Sequence, residues 1–319
     1  MQTTLANKVT FSGQGLHSGR TVTVTLHPAV ADHGIVFLRS DIAGSAPMAA
    51  RWNRVEQTAL NTRLRNAAGD EVSTIEHLMA ALAGVGCHNA FIEIDGPEVP
   101  ILDGSSQPFV EGLMKAGLRR LQAPLYAIEI LKPVEVQQGE AWARLSPTTV
   151  SALEIDFTID FSDAAIGHQE RSMVLTNDAF VRELADSRTF CRNADVEMMQ
   201  SKGLALGGTL ENAVVVDGPC VLTPGGLRHA DEAVRHKMLD AVGDLSTAGA
   251  PIFGRYTGMR AGHAMTNKLL RALFADPTAW RPRLVTPAVS RTLPGAGVVK
   301  GGLQAGYPAF NGQSFDRVA

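Results

Sequence analysis

The sequence predicts an α+β protein built in two halves, and three observations carry that prediction. The chain has 319 residues, too many for one small core and suited to two domains of ordinary size. Strand and helix patterns occur in short segregated runs within each half, which argues against a doubly wound sheet. Ala123-Pro124 breaks the pattern near the middle, so the expected domains are residues 1–123 and 124–319. Apolar residues make up 45%, charged residues 19% and aromatics 6%, a globular composition that excludes disorder, collagen and a membrane bundle.

The elements follow in order. Val22, Val24 and Leu26 alternate up to Pro28 and predict a half-buried strand. Ile75, Leu78, Met79 and Leu82 form one apolar helical stripe, closed by Gly84 and Gly86. Phe91, Ile92 and Ile94 predict a strand that ends at the turn Asp95-Gly96-Pro97. Phe109, Val110, Leu113 and Met114 predict a helix over roughly 107–117. Past Pro124, strands are expected at 127–131, 141–145 and 153–159, then helices at about 177–184 and 194–202. A strand at 213–216 and the turn Pro224-Gly225-Gly226 lead to a long helix over about 231–245, with Val234, Met238, Ala241, Val242 and Leu245 on its apolar face. Another helix follows Gly262, and the Gly-rich chain beyond Pro294 reads as a poorly ordered tail. The two halves echo one another: His77 and His236 each open the pattern H-x-M-x4-G, ending at Gly84 and Gly243.

The formal net charge is −3, which argues against nucleic acid as a partner. Three cysteines, Cys87, Cys191 and Cys220, make neither a disulfide framework nor a Cys-based zinc cluster. A metal site here must use histidine and carboxylate. Residues 1–10 lack the apolar run of a secretory signal, and no stretch approaches the ~20 apolar residues of a membrane helix. The expected location is the cytoplasm, without stable membrane insertion.

Three local patterns carry chemistry. His236 and Asp240 are four apart, so a helix puts them on one face, away from its apolar stripe. They read either as two metal ligands or as a surface His–Asp pair. Glu76 and His77 open the first amphipathic helix. His77 suits a third ligand and Glu76 a general base beside it, whereas Ser73 and Glu76 also have the spacing of a capping box. His263 follows Gly262 at a helix start, where the dipole lowers its pKa; Asp244, one turn beyond Asp240, is the carboxylate placed to restore it. Two histidines and one aspartate form an open three-ligand site. The same set serves non-haem iron oxygenases, but helical ligands and an adjacent Glu favour metal-assisted hydrolysis. A non-catalytic zinc module would need a fourth protein ligand, and none is obvious. Gly13 to Gly19 reads as a turn ahead of a strand, Arg188-Thr189-Phe190 as a plain loop, and Cys87-His88 as a core turn.

These residues sit in longer stretches that resemble one family: SGQGLHSG at 12–19, STIEHLMAALAGVG at 73–86, EIDGPEVPILDGSSQPF at 93–109, SRTF at 187–190, GLALGGTLENAVVVD at 203–217, RHKMLDAVGDL at 235–245 and AGHAMTNKLL at 261–270. The chain resembles UDP-3-O-acyl-N-acetylglucosamine deacetylases, zinc enzymes of lipid A biosynthesis in Gram-negative bacteria, from about Gly13 to Asp276. The resemblance implies Zn2+ on His77, His236 and Asp240, with Glu76 as general base. It implies that His263 works with Asp244, that Thr189 stabilises the oxyanion, and that Lys237 and Phe190 meet substrate. The implied partner is a small molecule, an acylated UDP-amino sugar that loses its N-acetyl group, and no obligate protein partner is implied. The implied fold has two similar domains whose helices pack between two sheets. Each domain carries an insert; the second spans about Cys191 to Glu211 and lines an apolar passage for the acyl chain. Cys191 stands where many relatives have glycine.

Overall fold

Alternation of buried and exposed residues builds two large sheets, with three smaller ones of two or three strands beside them. The computed structural model describes residues 1–56, 58 and 60–296. Five strands form the first sheet, in the order Val9–Gln14, Thr21–Pro28, Ala90–Ile94, Ile35–Arg39 and Met48–Ala49. Ala90–Ile94 pairs antiparallel with Thr21–Pro28 and parallel with Ile35–Arg39, so the sheet is mixed. The second sheet has seven strands. Ile252–Met259 runs through its middle: it pairs antiparallel with Ala141–Ser146, and parallel with Leu153–Asp160 and Tyr126–Ile130. Val134–Gln138, His168–Leu175 and Trp280–Leu284 complete it. Among the described residues, every strand pairing joins partners on the same side of Pro124.

Seven helices are described: α1 (Glu76–Gly84), α2 (Gln107–Ala116), α3 (Ala179–Glu183), α4 (Asn193–Ser201), α5 (Glu232–Ser246), α6 (His263–Ala275) and α7 (Pro287–Ser290). α2 packs on Val9–Gln14 and on α1, α1 packs on α5, and α5 packs on α6 and on strands Leu153–Asp160 and His168–Leu175. The order is therefore sheet, helices, sheet, and the expected α+β class and its helical junction hold. One apolar core runs through that junction, from Val24 and Leu78 to Met238 and Ile155. The stripe on α5 is wider than expected: Glu232, His236, Asp240 and Asp244 are buried along with the apolar face. A helix buried nearly all round packs on both sides.

The two glycines of the repeated pattern mark close approaches. A Cβ on Gly243 would lie 2.1 Å from the Glu76 carbonyl oxygen, so the backbones of α5 and α1 touch. A Cβ on Gly84 would lie 2.1 Å from the Phe180 ring of α3. The tail expected beyond Pro294 falls mostly outside the described residues. Pro294 and Gly295 themselves pack on the end of α1, where a Cβ on Gly86 would meet the Pro294 carbonyl oxygen at 2.2 Å.

No described helix is long and apolar enough to cross a membrane. Cys87, Cys191 and Cys220 are free thiols.

Candidate active site at the helical junction

α1 and α5 bring His77, His236 and Asp240 together in the buried junction, with one donor atom from each within 4.8 Å of the others. The rings of His77 and His236 meet edge to face, with centroids 5.0 Å apart. His236 is 2% exposed and Asp240 4%, which removes the alternative of a surface His–Asp pair. His236 Nδ1 donates to the Ser187 carbonyl at 3.0 Å, so Nε2 carries the lone pair and faces Asp240 Oδ1 at 3.3 Å. His77 Nε2 lies 3.6 Å from the same oxygen. Lys237 Nζ donates to Asp240 Oδ2 at 2.6 Å. Asp240 Oδ1 and His77 Nδ1 are buried without a hydrogen-bond partner among the described residues. Orphaned donors and acceptors are rare in a folded interior. A metal ion fits the Asp240 orphan: one carboxylate oxygen is held by Lys237, and the other is unpaired between two imidazoles.

The electrostatics favour the ligand forms. Burial pushes the His236 pKa down to about 4, so its imidazole is neutral. Burial opposes ionisation of Asp240, but His236, Lys237 and His263 together hold its carboxyl well below the ordinary value. A neutral imidazole and an ionised carboxylate are what a metal binds.

Glu76 opens α1, but not as a capping residue. Ser73 Oγ donates to the Pro97 carbonyl at 3.1 Å, and α1 has no side-chain cap. Glu76 Oε2 instead accepts the Thr62 N–H at 2.9 Å, and Oε1 lies 3.8 Å from His263 Nε2. Burial raises the Glu76 pKa, against the opposing pull of His263 and His77. His263 is the first residue of α6, and its Nδ1 meets Asp244 Oδ2 at 3.0 Å. Burial alone would lower its pKa; Asp244, then Glu76 and Asp240, overcome that and raise it to about 9. The expected opposition between helix start and Asp244 is therefore decided by the carboxylates.

Arg188-Thr189-Phe190 is not a plain loop. Arg188 Nε pairs with buried Glu232 of α5 at 2.9 Å, and the Arg188 N–H reaches the same oxygen at 3.0 Å. This pins Ser187, whose carbonyl orients His236. Thr189 is anchored through its backbone, by the Gly104 carbonyl and the Val214 N–H, both at 2.8 Å. The Phe190 ring stands 6.2 Å from the His236 ring and 5.4 Å from Phe161. Beyond it lies the segment 191–211, which contains α4; Met198, Leu206 and Leu210 are exposed there. Cys191 is half-buried and pairs with Val215 between two strands. Cys87 packs in the core as expected.

Three residues escaped the sequence reading. Thr62 binds Glu76 through its N–H, and its hydroxyl donates to Asp244 Oδ1 at 2.5 Å. Glu98 is 1% exposed and accepts the N–H groups of His17 and Ser18 at 2.9 and 2.7 Å, which ties the glycine-rich turn to the site. The glycine stretch begins inside strand Val9–Gln14 rather than wholly ahead of a strand. Glu98 also accepts from Thr74 Oγ1 at 2.8 Å. Thr74, two residues before Glu76, has φ +55°, an uncommon conformation for a β-branched residue. The Leu206 N–H of the insert donates to the His17 carbonyl at 3.2 Å, so the turn and the insert close on each other. The motif GLHSG carried a signal for this turn; Thr62 carried none.

The family model described as UDP-3-O-acyl N-acetylglycosamine deacetylase matches residues 2–275. A UDP-3-O-acyl-N-acetylglucosamine deacetylase of Phenylobacterium zucineum is 51% identical over 283 residues, 88% of this chain and 96% of that protein. The enzyme of the same name from Pasteurella multocida is 46% identical over 281 residues, 88% of this chain and 92% of that protein. That from Shewanella baltica is 43% identical over 303 residues, 93% of this chain and 98% of that protein. With a match over nearly its whole described length, the chain belongs to the UDP-3-O-acyl N-acetylglycosamine deacetylase family of enzymes.

Proposed function

We propose that the protein is a zinc metalloamidase that hydrolyses the N-acetyl group of UDP-3-O-(3-hydroxyacyl)-N-acetylglucosamine. The products are acetate and UDP-3-O-(3-hydroxyacyl)-glucosamine, in lipid A biosynthesis in the cytoplasm. One observation carries the reading: a buried His77–His236–Asp240 group with an unpaired Asp240 oxygen, adjacent to the buried carboxylate of Glu76, in a chain of this family.

His77, His236 and Asp240 would hold the ion. A zinc ion held there supplies Lewis acidity, polarising a carbonyl oxygen and lowering the pKa of water. Glu76 takes a proton from the attacking water, a task for which burial has raised its basicity. The Thr189 hydroxyl donates to the oxygen that becomes negative as the carbonyl is attacked. An amine leaves poorly until it is protonated, and His263, kept cationic by Asp244, faces the base and delivers that proton. Lys237 meets the diphosphate or the polar side of the sugar, and Phe190 lines the acyl passage beside the insert. The chain divides near Pro124: residues 1–123 supply Glu76 and His77, and residues 124–319 supply His236, Asp240 and His263. The lack of strand pairing across Pro124 among the described residues supports that division.

The test is acetate release from the UDP-linked O-acyl substrate, with metal content measured in parallel. One zinc per chain and stoichiometric acetate are expected, without oxygen uptake. Full activity in metal-free protein overturns the reading.

A further inference from the structure

We propose that Thr62 is a positioning residue, one that fixes Glu76 and Asp244 relative to each other across the helical junction. The inference rests on the catalytic roles given above to Glu76 and to the His263–Asp244 pair. Thr62 is 2% exposed and uses all of its polar groups at once. Its N–H donates to Glu76 Oε2 at 2.9 Å, its hydroxyl donates to Asp244 Oδ1 at 2.5 Å, and its carbonyl accepts the Ile75 N–H at 3.3 Å. The neighbouring Asn61 Nδ2 donates to Thr74 Oγ1 at 3.2 Å, so the segment is fastened to the entry of α1 on both sides.

The consequence is directional. With Oε2 of Glu76 occupied by the Thr62 N–H, Oε1 is the oxygen turned toward His263 Nε2, 3.8 Å away. With Oδ1 of Asp244 occupied by the hydroxyl, Oδ2 makes the shorter contact to His263 Nδ1, at 3.0 Å against 3.3 Å for Oδ1. A hydrogen bond to one oxygen restrains rotation of the carboxylate, so Thr62 biases which oxygen each carboxylate gives to the imidazole between them. These are charge-assisted bonds in a buried site, where a lost donor is expensive. Thr62 bonds to the two carboxylates and is given no contact with substrate in this reading. Its loss should disturb turnover rather than substrate affinity.

The experiment compares Thr62→Val, which keeps the shape and the backbone N–H, with Thr62→Ser, which keeps the hydroxyl. For zinc-loaded Thr62→Val, kcat should fall roughly ten- to a hundredfold, the value of one hydrogen bond to a charged group, with KM within about twofold. Thr62→Ser should recover most of the loss. Thr62→Ala carries the same comparison if the valine variant does not fold. Unfolding of Thr62→Val, Asp244→Asn and the double variant should be non-additive, a readout independent of activity. Native kcat in Thr62→Val overturns the inference, as do equal losses in the serine and valine variants and strict additivity in the unfolding cycle. Glu76→Ala, assayed alongside, separates the two levels: native activity there overturns the catalytic reading itself. An inactive Glu76→Ala with an unimpaired Thr62→Val overturns only the role of Thr62.

Discussion

Replacing Gly243 by alanine tests the helical junction most sharply. The added Cβ would lie 2.1 Å from the Glu76 carbonyl oxygen, 2.9 Å from its carbon and 3.1 Å from its Cα. All three atoms are backbone, so no rotamer change relieves the overlap. α1 and α5 must separate by about 1 Å to reach van der Waals distance. Overpacking of this kind costs about 1–3 kcal/mol, offset by about 1 kcal/mol of better helix propensity for alanine. The net stability change is therefore small. The geometric effect is not, because α1 carries Glu76 and His77 while α5 carries His236, Asp240 and Asp244. A misplacement of about 1 Å between catalytic partners costs about a hundredfold in rate. Initial rates of acetate release, thermal melting and metal content should be measured on the same preparation. The expected signature is a large fall in kcat with a melting temperature shifted by only a few degrees. Native kcat at native melting temperature would show that the crossing does not control the site.

Glu76→Ala should lower kcat by about 10²–10⁴ with the metal retained, the usual effect of removing a general base; metal analysis and rate together check it. Dialysis against a chelator should abolish acetate release, and one equivalent of zinc should restore it. The pH–rate profile should be bell-shaped. Burial raises the Glu76 pKa, so the ionised base is lost as pH falls through that raised value; carboxylates raise His263 to about 9, so the cation is lost above it. Asp244→Asn removes the largest raising influence, so the alkaline limb should move to lower pH. Burial pushes the Cys87 thiol up to about 12, so alkylation near pH 8 should modify exposed Cys220 and spare Cys87 in the folded protein.

The helices that carry the site were legible in the sequence because each has a periodic apolar stripe. The pairing of His236 with Asp240 on one helix face was legible because i, i+4 spacing survives folding unchanged. The strand Ile252–Met259 was not read, although it runs through the middle of its sheet. Gly254 and Gly258 interrupt its alternation, and glycine normally weakens a strand. Here the neighbours require them: a Cβ on Gly254 would meet Ile130 at 2.5 Å, and one on Gly258 would meet Phe157 at 2.9 Å. The edge strand His168–Leu175 was missed for a different reason. Two of its inward positions, Gln169 and Arg171, are polar and its outward Val174 is apolar, so the alternation that marks a strand is broken. Burial of the His236–Asp240 pair was also illegible, since it depends on a second helix from elsewhere in the chain. Thr62 acts through a backbone N–H that every residue except proline has and a hydroxyl that every threonine has, so no spacing could single it out.

Thr74 is a strained backbone position that its own hydroxyl holds in place. A left-handed β-branched residue stores of order 1–3 kcal/mol of strain. Glycine would remove that strain, but its freer unfolded chain would cost about 0.4–1 kcal/mol and a buried hydrogen bond to Glu98 would go with the hydroxyl. The glycine variant would also lose the hydroxyl that joins Glu98 to Asn61, and with it the fixed entry angle of the helix that presents Glu76. Thermostabilisation of this enzyme should therefore leave Thr74 alone and work on surfaces far from the junction.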